Sequence, residues 1–275
     1  MKTNTTLIKI ASVFALVATV AINILANALP LGGLTTGQIS ALYPTLFTPP
    51  GVTFAIWGVI YLMLGIFLVS QLISRKQSDL ADFYPYFLLS CIANIAWILS
   101  WHAQMIILAT ISIAILLFCL VMIYIKTRNR NFVTRTAFSL YYAWITVASI
   151  VSVFVLVKFL AGAGPITVAG ITGAGIISRL IGYSDIEYIC ATAAALIVGP
   201  LTMLHIFRRE DYVYAFVMLW ATGGIMYKQA TSVNPPLYML IAAGVSVLVI
   251  IISCIVKLMS RSRCTDLAKC NVNKQ

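Results

Sequence analysis

The chain has 275 residues, 61% of them hydrophobic and only 9% charged, with a mean hydropathy of +1.01. No water-soluble domain has a core large enough to hide that much apolar surface, so the composition implies an all-α integral membrane protein and excludes a soluble one. The net charge of +11 invites a nucleic-acid reading, but the placement of the charges at the ends of apolar runs removes it.

A bilayer core is crossed by roughly 20 apolar residues in a helix. Runs of that kind predict a bundle of about eight transmembrane helices, near 7–29, 52–73, 84–102, 104–125, 136–158, 187–207, 212–227 and 236–257. The seventh is the shortest. The first, with Lys2 and Lys9 ahead of it and Ala26-Asn27-Ala28 behind, mimics a secretory signal. Its apolar run is longer than a signal core, and it is read as a retained helix. The next segment, Ala28 to Pro50, carries no charge and is expected to fold over the helix ends.

Pro49, Pro50 and Gly51 then open the second span. Proline suits a first helical turn, where its missing N–H would be unpaired anyway. Phe54, Trp57 and Tyr61 follow at i, i+3 and i+7 and share one helix face. The third span carries Asn94, Trp97 and Trp101 at helical spacing, and the fifth carries Tyr141, Tyr142, Trp144 and Ala148. The stretch 162–184 is Gly-rich and apolar, with Arg179 as its only basic residue, and is read as an external lid or short helix. Gly199-Pro200 is expected to bend the sixth span, and Pro235-Pro236 starts the eighth. Asp185, Glu187, Glu210 and Asp211 read as cap residues at helix starts.

With eight spans, fifteen of the eighteen basic residues fall on one side, against Lys158, Arg179 and Lys228 on the other. That bias puts both termini in the cytoplasm, as in a protein of the bacterial inner membrane. Cys91, Cys119, Cys190 and Cys254 lie in apolar spans, where free cysteine acts as a small hydrophobe. Cys264 and Cys270 lie in the basic tail. Neither they nor His102 and His205 have metal-ligand spacing.

Three of these blocks, taken in order, resemble the TspO/MBR family of tryptophan-rich sensory or translocator proteins. They are the Pro-Pro with a Phe and a Trp-x-x-x-Tyr, the Asn-x-x-Trp of the third helix, and a partial Tyr-x-x-Trp block in the fifth. The family's tryptophan before the Pro-Pro is here Phe47, and the proline and Leu-Asn of its fifth helix are missing. The resemblance covers residues 7 to 158. It implies a TspO-like five-helix region over 1–161, followed by the 162–186 segment, three additional transmembrane helices over 187–259 and a basic cytoplasmic tail over 260–275.

At about 1.5 Å rise per residue, Trp57 and Trp97 lie at similar depth near the outer face, and Asn94 and Trp144 nearer the midplane. The expected ligand-binding residues are therefore Phe54, Trp57, Tyr61, Asn94, Trp97 and Trp144, with Pro49 and Pro50 at the entrance. Membrane anchoring by tryptophan and interhelical bonding by Asn94 are the plain alternatives. The resemblance implies a hydrophobic small-molecule ligand, either a tetrapyrrole such as protoporphyrin or haem, or a sterol-like compound, bound for transport, sensing or buffering. No other cofactor and no nucleic acid is expected. The expected partners are the lipid bilayer and the ligand; small-residue stretches such as Gly170, Gly173 and Gly175 allow the close helix contact of a homodimer without showing one.

A secondary transporter is the alternative, suggested by the Gly199-Pro200 and Gly223-Gly224 breaks, although the middles of the spans carry no acidic or basic residue. An enzyme is not expected, since no acid–base set shares one depth; tetrapyrrole breakdown stays open.

Overall fold

The structure, a computed structural model, describes residues 5–29, 31–73, 83–160 and 183–272. Most of the Gly-rich 162–186 segment, read above as a lid, lies outside the described residues. In chain order the helices are α1 (Thr5–Ala28), α2 (Thr36–Leu42), α3 (Ile56–Ile73), α4 (Tyr84–His102), α5 (Ile106–Lys126), α6 (Phe132–Leu160), α7 (Tyr183–Arg209), α8 (Tyr212–Ala230) and α9 (Leu237–Val272). Two 3-10 turns, Leu31–Gly33 and Gly51–Ala55, flank the first loop. No strand occurs among the described residues.

Among the described residues seven helices are long and apolar enough to cross a membrane: all except α2 and α8. The seventh expected span, α8, is a regular 19-residue helix with Lys228 and Gln229 in its last turn, and it is not among them. The last helix runs from Leu237 to Val272, so helical backbone continues into the region read from sequence as a tail.

The architecture is an all-α bundle in which α6 is the central element. It packs against α3, α5 and α8, while α7, α8 and α9 pack together. At one end of this bundle Phe67, Phe83, Phe87 and Phe138 from α3, the start of α4 and α6 interlock with ring centroids 5.0–6.1 Å apart. Most of these pairs meet edge-to-face, the arrangement the ring quadrupole favours.

In hydrocarbon the gain from helix contact comes from close packing and hydrogen bonds rather than from expelled water. Two glycines show how. A methyl group on Gly224 of α8 would lie 2.5 Å from Thr53 Oγ1, and one on Gly199 of α7 would lie 2.8 Å from the Ser246 Cα of α9. Both glycines mark near-contact of backbone with a neighbouring element.

The Gly199 crossing also settles how α7 carries Pro200 in its interior. Proline removes one helix donor and obstructs the carbonyl four residues back. The Ser246 hydroxyl of α9 is inserted there: it lies within hydrogen-bond reach of the Leu196 carbonyl, four residues before Pro200, at 3.3 Å, and at the preceding rung it meets the Ala195 carbonyl and accepts from the Gly199 N–H at 3.1 Å. Pro200 thus sits inside a continuous α7, with a hydroxyl from the neighbouring α9 at the disrupted turn.

Gly199→Ala is expected to push α7 and α9 apart and to destabilise the protein by about 1–3 kcal/mol, the usual cost of overpacking. Thermal unfolding of the detergent-purified variant against wild type would measure this.

Candidate functional site

The site begins with the uncharged first loop. Thr35 caps α2 and forms a reciprocal box with Gln38: Gln38 N–H donates to Thr35 Oγ1 at 3.3 Å, and Thr35 N–H donates to Gln38 Oε1 at 2.8 Å. The Thr-x-x-Gln spacing encodes this helix start. The Asn27 side chain, at the end of α1, accepts from the Thr36 N–H at 3.1 Å and fixes α2 against the end of α1. Trp101 donates from its indole N–H to the Thr36 carbonyl at 3.3 Å, and Tyr43 packs on the Trp101 ring at 6.4 Å. The loop folds over the helix ends, as its lack of charge suggests.

The later half of the loop is held by helices far away in sequence. Glu187 at the start of α7 accepts from the Leu46 N–H at 2.8 Å, and Gln229 of α8 donates to the Leu46 carbonyl at 2.7 Å. Lys228 donates to the Thr48 carbonyl at 3.1 Å, Trp220 to the Thr53 carbonyl at 3.0 Å, and Lys158 of α6 to the Pro44 carbonyl. Buried backbone needs such partners. The clamp sets Pro49 and Pro50 against the head of α3. Its first turn winds as a 3-10 turn closed by Thr53 N–H donating to the Pro50 carbonyl at 3.0 Å.

Beneath the loop the aromatic residues meet. Trp57 stacks on Tyr61 at 5.4 Å and on Trp97 at 5.7 Å, and meets Tyr141 and Trp144 edge-on at 6.1 and 6.3 Å. Phe54 meets Trp144 edge-on at 5.8 Å, and Trp97 stacks on Trp101 at 6.5 Å. Trp97, Trp101 and Trp144 are buried, while Trp57 and Phe54 are half-buried. Asn94 is fully enclosed. It accepts from the Asn23 amide at 2.7 Å and donates to the Tyr141 hydroxyl at 2.8 Å. The amide that is costly in hydrocarbon is therefore used to join α1, α4 and α6.

Two cavities adjoin this cluster. An open cleft of about 870 Å³ lies between α1, α2 and the head of α3, with Asn23, Asn27, Phe54, Trp57, Gly58 and Tyr61 in its wall. A small void of about 30 Å³ lies behind it, among Thr36, Ser40, Pro49, Trp97, Trp101 and Trp144. Phe54 and Thr36 border both. The Trp97 and Trp144 indole N–H groups and the Thr36 and Ser40 hydroxyls are buried there without a protein partner. Four such groups around one void form an unusual concentration of unused hydrogen-bonding capacity.

The structure thus brings Phe54, Trp57, Tyr61, Trp97, Trp144 and Pro49 together around adjoining cavities. Asn94 stands behind this wall as a helix-to-helix tie, and Pro50 shapes the turn. Motif spacing does not point to Asn23, Thr36 or the clamp, and it marks Trp101 and Tyr141 as motif residues without placing them at the site. Asn23 and Asn27, amides four apart in an apolar helix, were a usable signal. Among the described residues no group of three or more His, Cys, Asp and Glu side chains comes together. Tyr124, part of a loose Val-x-x-Tyr-x-Lys sterol pattern at Val121 to Lys126, turns its hydroxyl inward to Asp211 at 2.7 Å.

Fold and site together define a polytopic helical membrane protein with an aromatic-walled cleft under a clamped loop. A family model described as TSPO-like protein matches residues 9–256, and the chain belongs to that family. The match runs through α7, α8 and most of α9 as well as the first five long helices. No curated protein and no solved structure matches the chain.

Asn94→Leu is expected to strand the Asn23 amide and the Tyr141 hydroxyl, at about 1–3 kcal/mol for each buried group left unpaired. A lower thermal midpoint in detergent, with helicity by circular dichroism retained below it, would report this loss.

Proposed function

We propose that this TspO-type membrane protein binds a flat, apolar ligand in the cleft between α1 and α3, either a tetrapyrrole such as protoporphyrin or haem, or a sterol-like compound. The observation that carries the reading is the continuous aromatic wall of Phe54, Trp57 and Tyr61 on an open cleft, backed by Trp97 and Trp144. Its volume of about 870 Å³ lies in the range of small-molecule sites, and aromatic walls favour planar ligands by stacking and dispersion. The unpartnered indole N–H and hydroxyl groups behind Phe54 suit a ligand that also carries an acceptor oxygen, such as a carboxylate or carbonyl. In this reading the protein moves, senses or stores the ligand without transforming it, and it sits with both termini in the cytoplasm.

The glycine breaks that suggested a coupled transporter have a packing role: Gly224 accommodates Thr53, and Gly199 accommodates Ser246. They give ion-coupled transport no separate support.

The test is titration of the detergent-purified protein with protoporphyrin IX, followed by tryptophan quenching. Gly58 lies in the cleft wall, and a Cβ added there meets no atom within 4 Å, so Gly58→Leu fills the cleft while keeping all five tryptophans. Wild type is expected to quench saturably, with Gly58→Leu and the Trp57→Ala, Trp144→Ala double variant binding at least about tenfold more weakly, equivalent to about 1.4 kcal/mol. Linear quenching, or equal saturation by Gly58→Leu, would remove the cleft as the site.

A further inference from the structure

The opposite end of the bundle holds a second cavity with different chemistry. It has a volume of about 350 Å³ and lies where α5 ends, α6 begins and α7 turns into α8. Four arginines from four separate segments line it: Arg128 after α5, Arg135 in the first turns of α6, Arg209 at the end of α7 and Arg261 in α9. The two carboxylates in its wall are already engaged. Asp211 caps α8 by accepting from the Tyr214 N–H at 2.9 Å, and also accepts from the Tyr124 and Ser139 hydroxyls at 2.7 Å. Glu210 is bridged by Lys257 at 3.2 Å and Arg261 at 3.8 Å.

Two of the arginines are fixed in place by the fold. The Arg209 guanidinium lies 4.5 Å from the centroid of the Tyr124 ring and donates to the Tyr124 carbonyl at 2.8 Å. Arg135 donates to the Arg209 carbonyl at 3.0 Å. Each guanidinium has five N–H donors, so these bonds hold the groups while leaving donors over. Arg128 is exposed at the rim. The Tyr212 hydroxyl, from a residue in the same wall, has no protein partner.

A topological bias accounts for arginine at helix ends on one side. It does not account for four of them, drawn from separate segments, around one cavity. Guanidinium groups suit phosphate oxygens because their planar fork makes paired, charge-assisted bonds. We propose that this cavity binds a phosphate group, presented either by an anionic phospholipid or by a small soluble phosphate compound.

The experiment uses the full-length protein and two probes. In one arm, native mass spectrometry counts phosphatidic acid or phosphatidylglycerol retained against a phosphatidylcholine background. In the other, isothermal calorimetry in neutral detergent measures inorganic pyrophosphate. Arg128→Gln is the main variant, because its exposed side chain is the least coupled to the fold, and Arg128→Gln, Arg135→Gln extends it. Arg208→Gln, a neighbouring exposed arginine outside the cavity wall, is the control for charge alone. At least one probe is expected to bind, with Arg128→Gln weakening it about tenfold and Arg208→Gln leaving it within about twofold. Lipid retention alone identifies a headgroup site, and pyrophosphate binding identifies a site open to soluble phosphate. Binding of neither probe, or equal losses in Arg128→Gln and Arg208→Gln, overturns the proposal.

Discussion

The aromatic cleft depends on an uncharged loop being held at the end of the bundle, and the hold is made by backbone hydrogen bonding. A loop of this length in an apolar setting carries peptide groups that neither lipid nor a distant solvent can satisfy. Here Gln229, Lys228, Trp220, Lys158 and Glu187 supply those partners to Pro44, Leu46, Thr48 and Thr53. All five come from α6 or later. The helices beyond the fifth long one are therefore structural partners of the cleft's roof, and the single family match through residue 256 agrees with that dependence.

The same requirement explains why the bundle interior is polar where it is. Asn94, Asn23 and Tyr141 tie α1, α4 and α6, and Ser246 repairs the gap left by Pro200 in α7. Asp211, Tyr124 and Ser139 join α5, α6 and the start of α8. Each is a matched set of donors and acceptors, which is the form a buried polar group must take to be tolerated. The set around the void behind Phe54 is the contrast. There two indole N–H groups and two hydroxyls have no protein partner. Other buried groups without a partner, such as the Ser12, Tyr84 and Tyr212 hydroxyls, are scattered, whereas these four gather at one void.

Much of this was legible in the chain because helical periodicity is a strong signal. Phe54, Trp57 and Tyr61 share a face by spacing alone, as do Asn94, Trp97 and Trp101, and the structure packs those faces together. One helix start was legible because capping chemistry is local, at Asp211, while the Thr35 box and the short α2 that it starts were not read. What spacing does not encode is which face of one helix meets which residue of another. Asn23 was therefore read only as part of an apolar run, Trp220 was passed over, and Gly223-Gly224 was taken as a break when Gly224 is a contact point. The charge pattern reads as topology; that Lys158, Glu187 and Lys228 point to specific loop peptide groups follows only from the fold.

The two ends of the molecule share their helices. α6 carries Arg135 and Ser139 at one end, Trp144 in the aromatic cluster and Lys158 at the loop clamp. α8 starts at the capped Asp211 and ends at Lys228 and Gln229 on the same loop. A helix is stiff along its axis, so a shift of either one at the arginine-lined end would be felt by the groups that hold the roof of the cleft. Energetic coupling between two sites needs an element whose position both of them bias. α6, α7 and α8 each contribute residues to the arginine-lined cavity and to the loop clamp alike, which makes their relative positions the coordinate through which one end of this protein would influence the other.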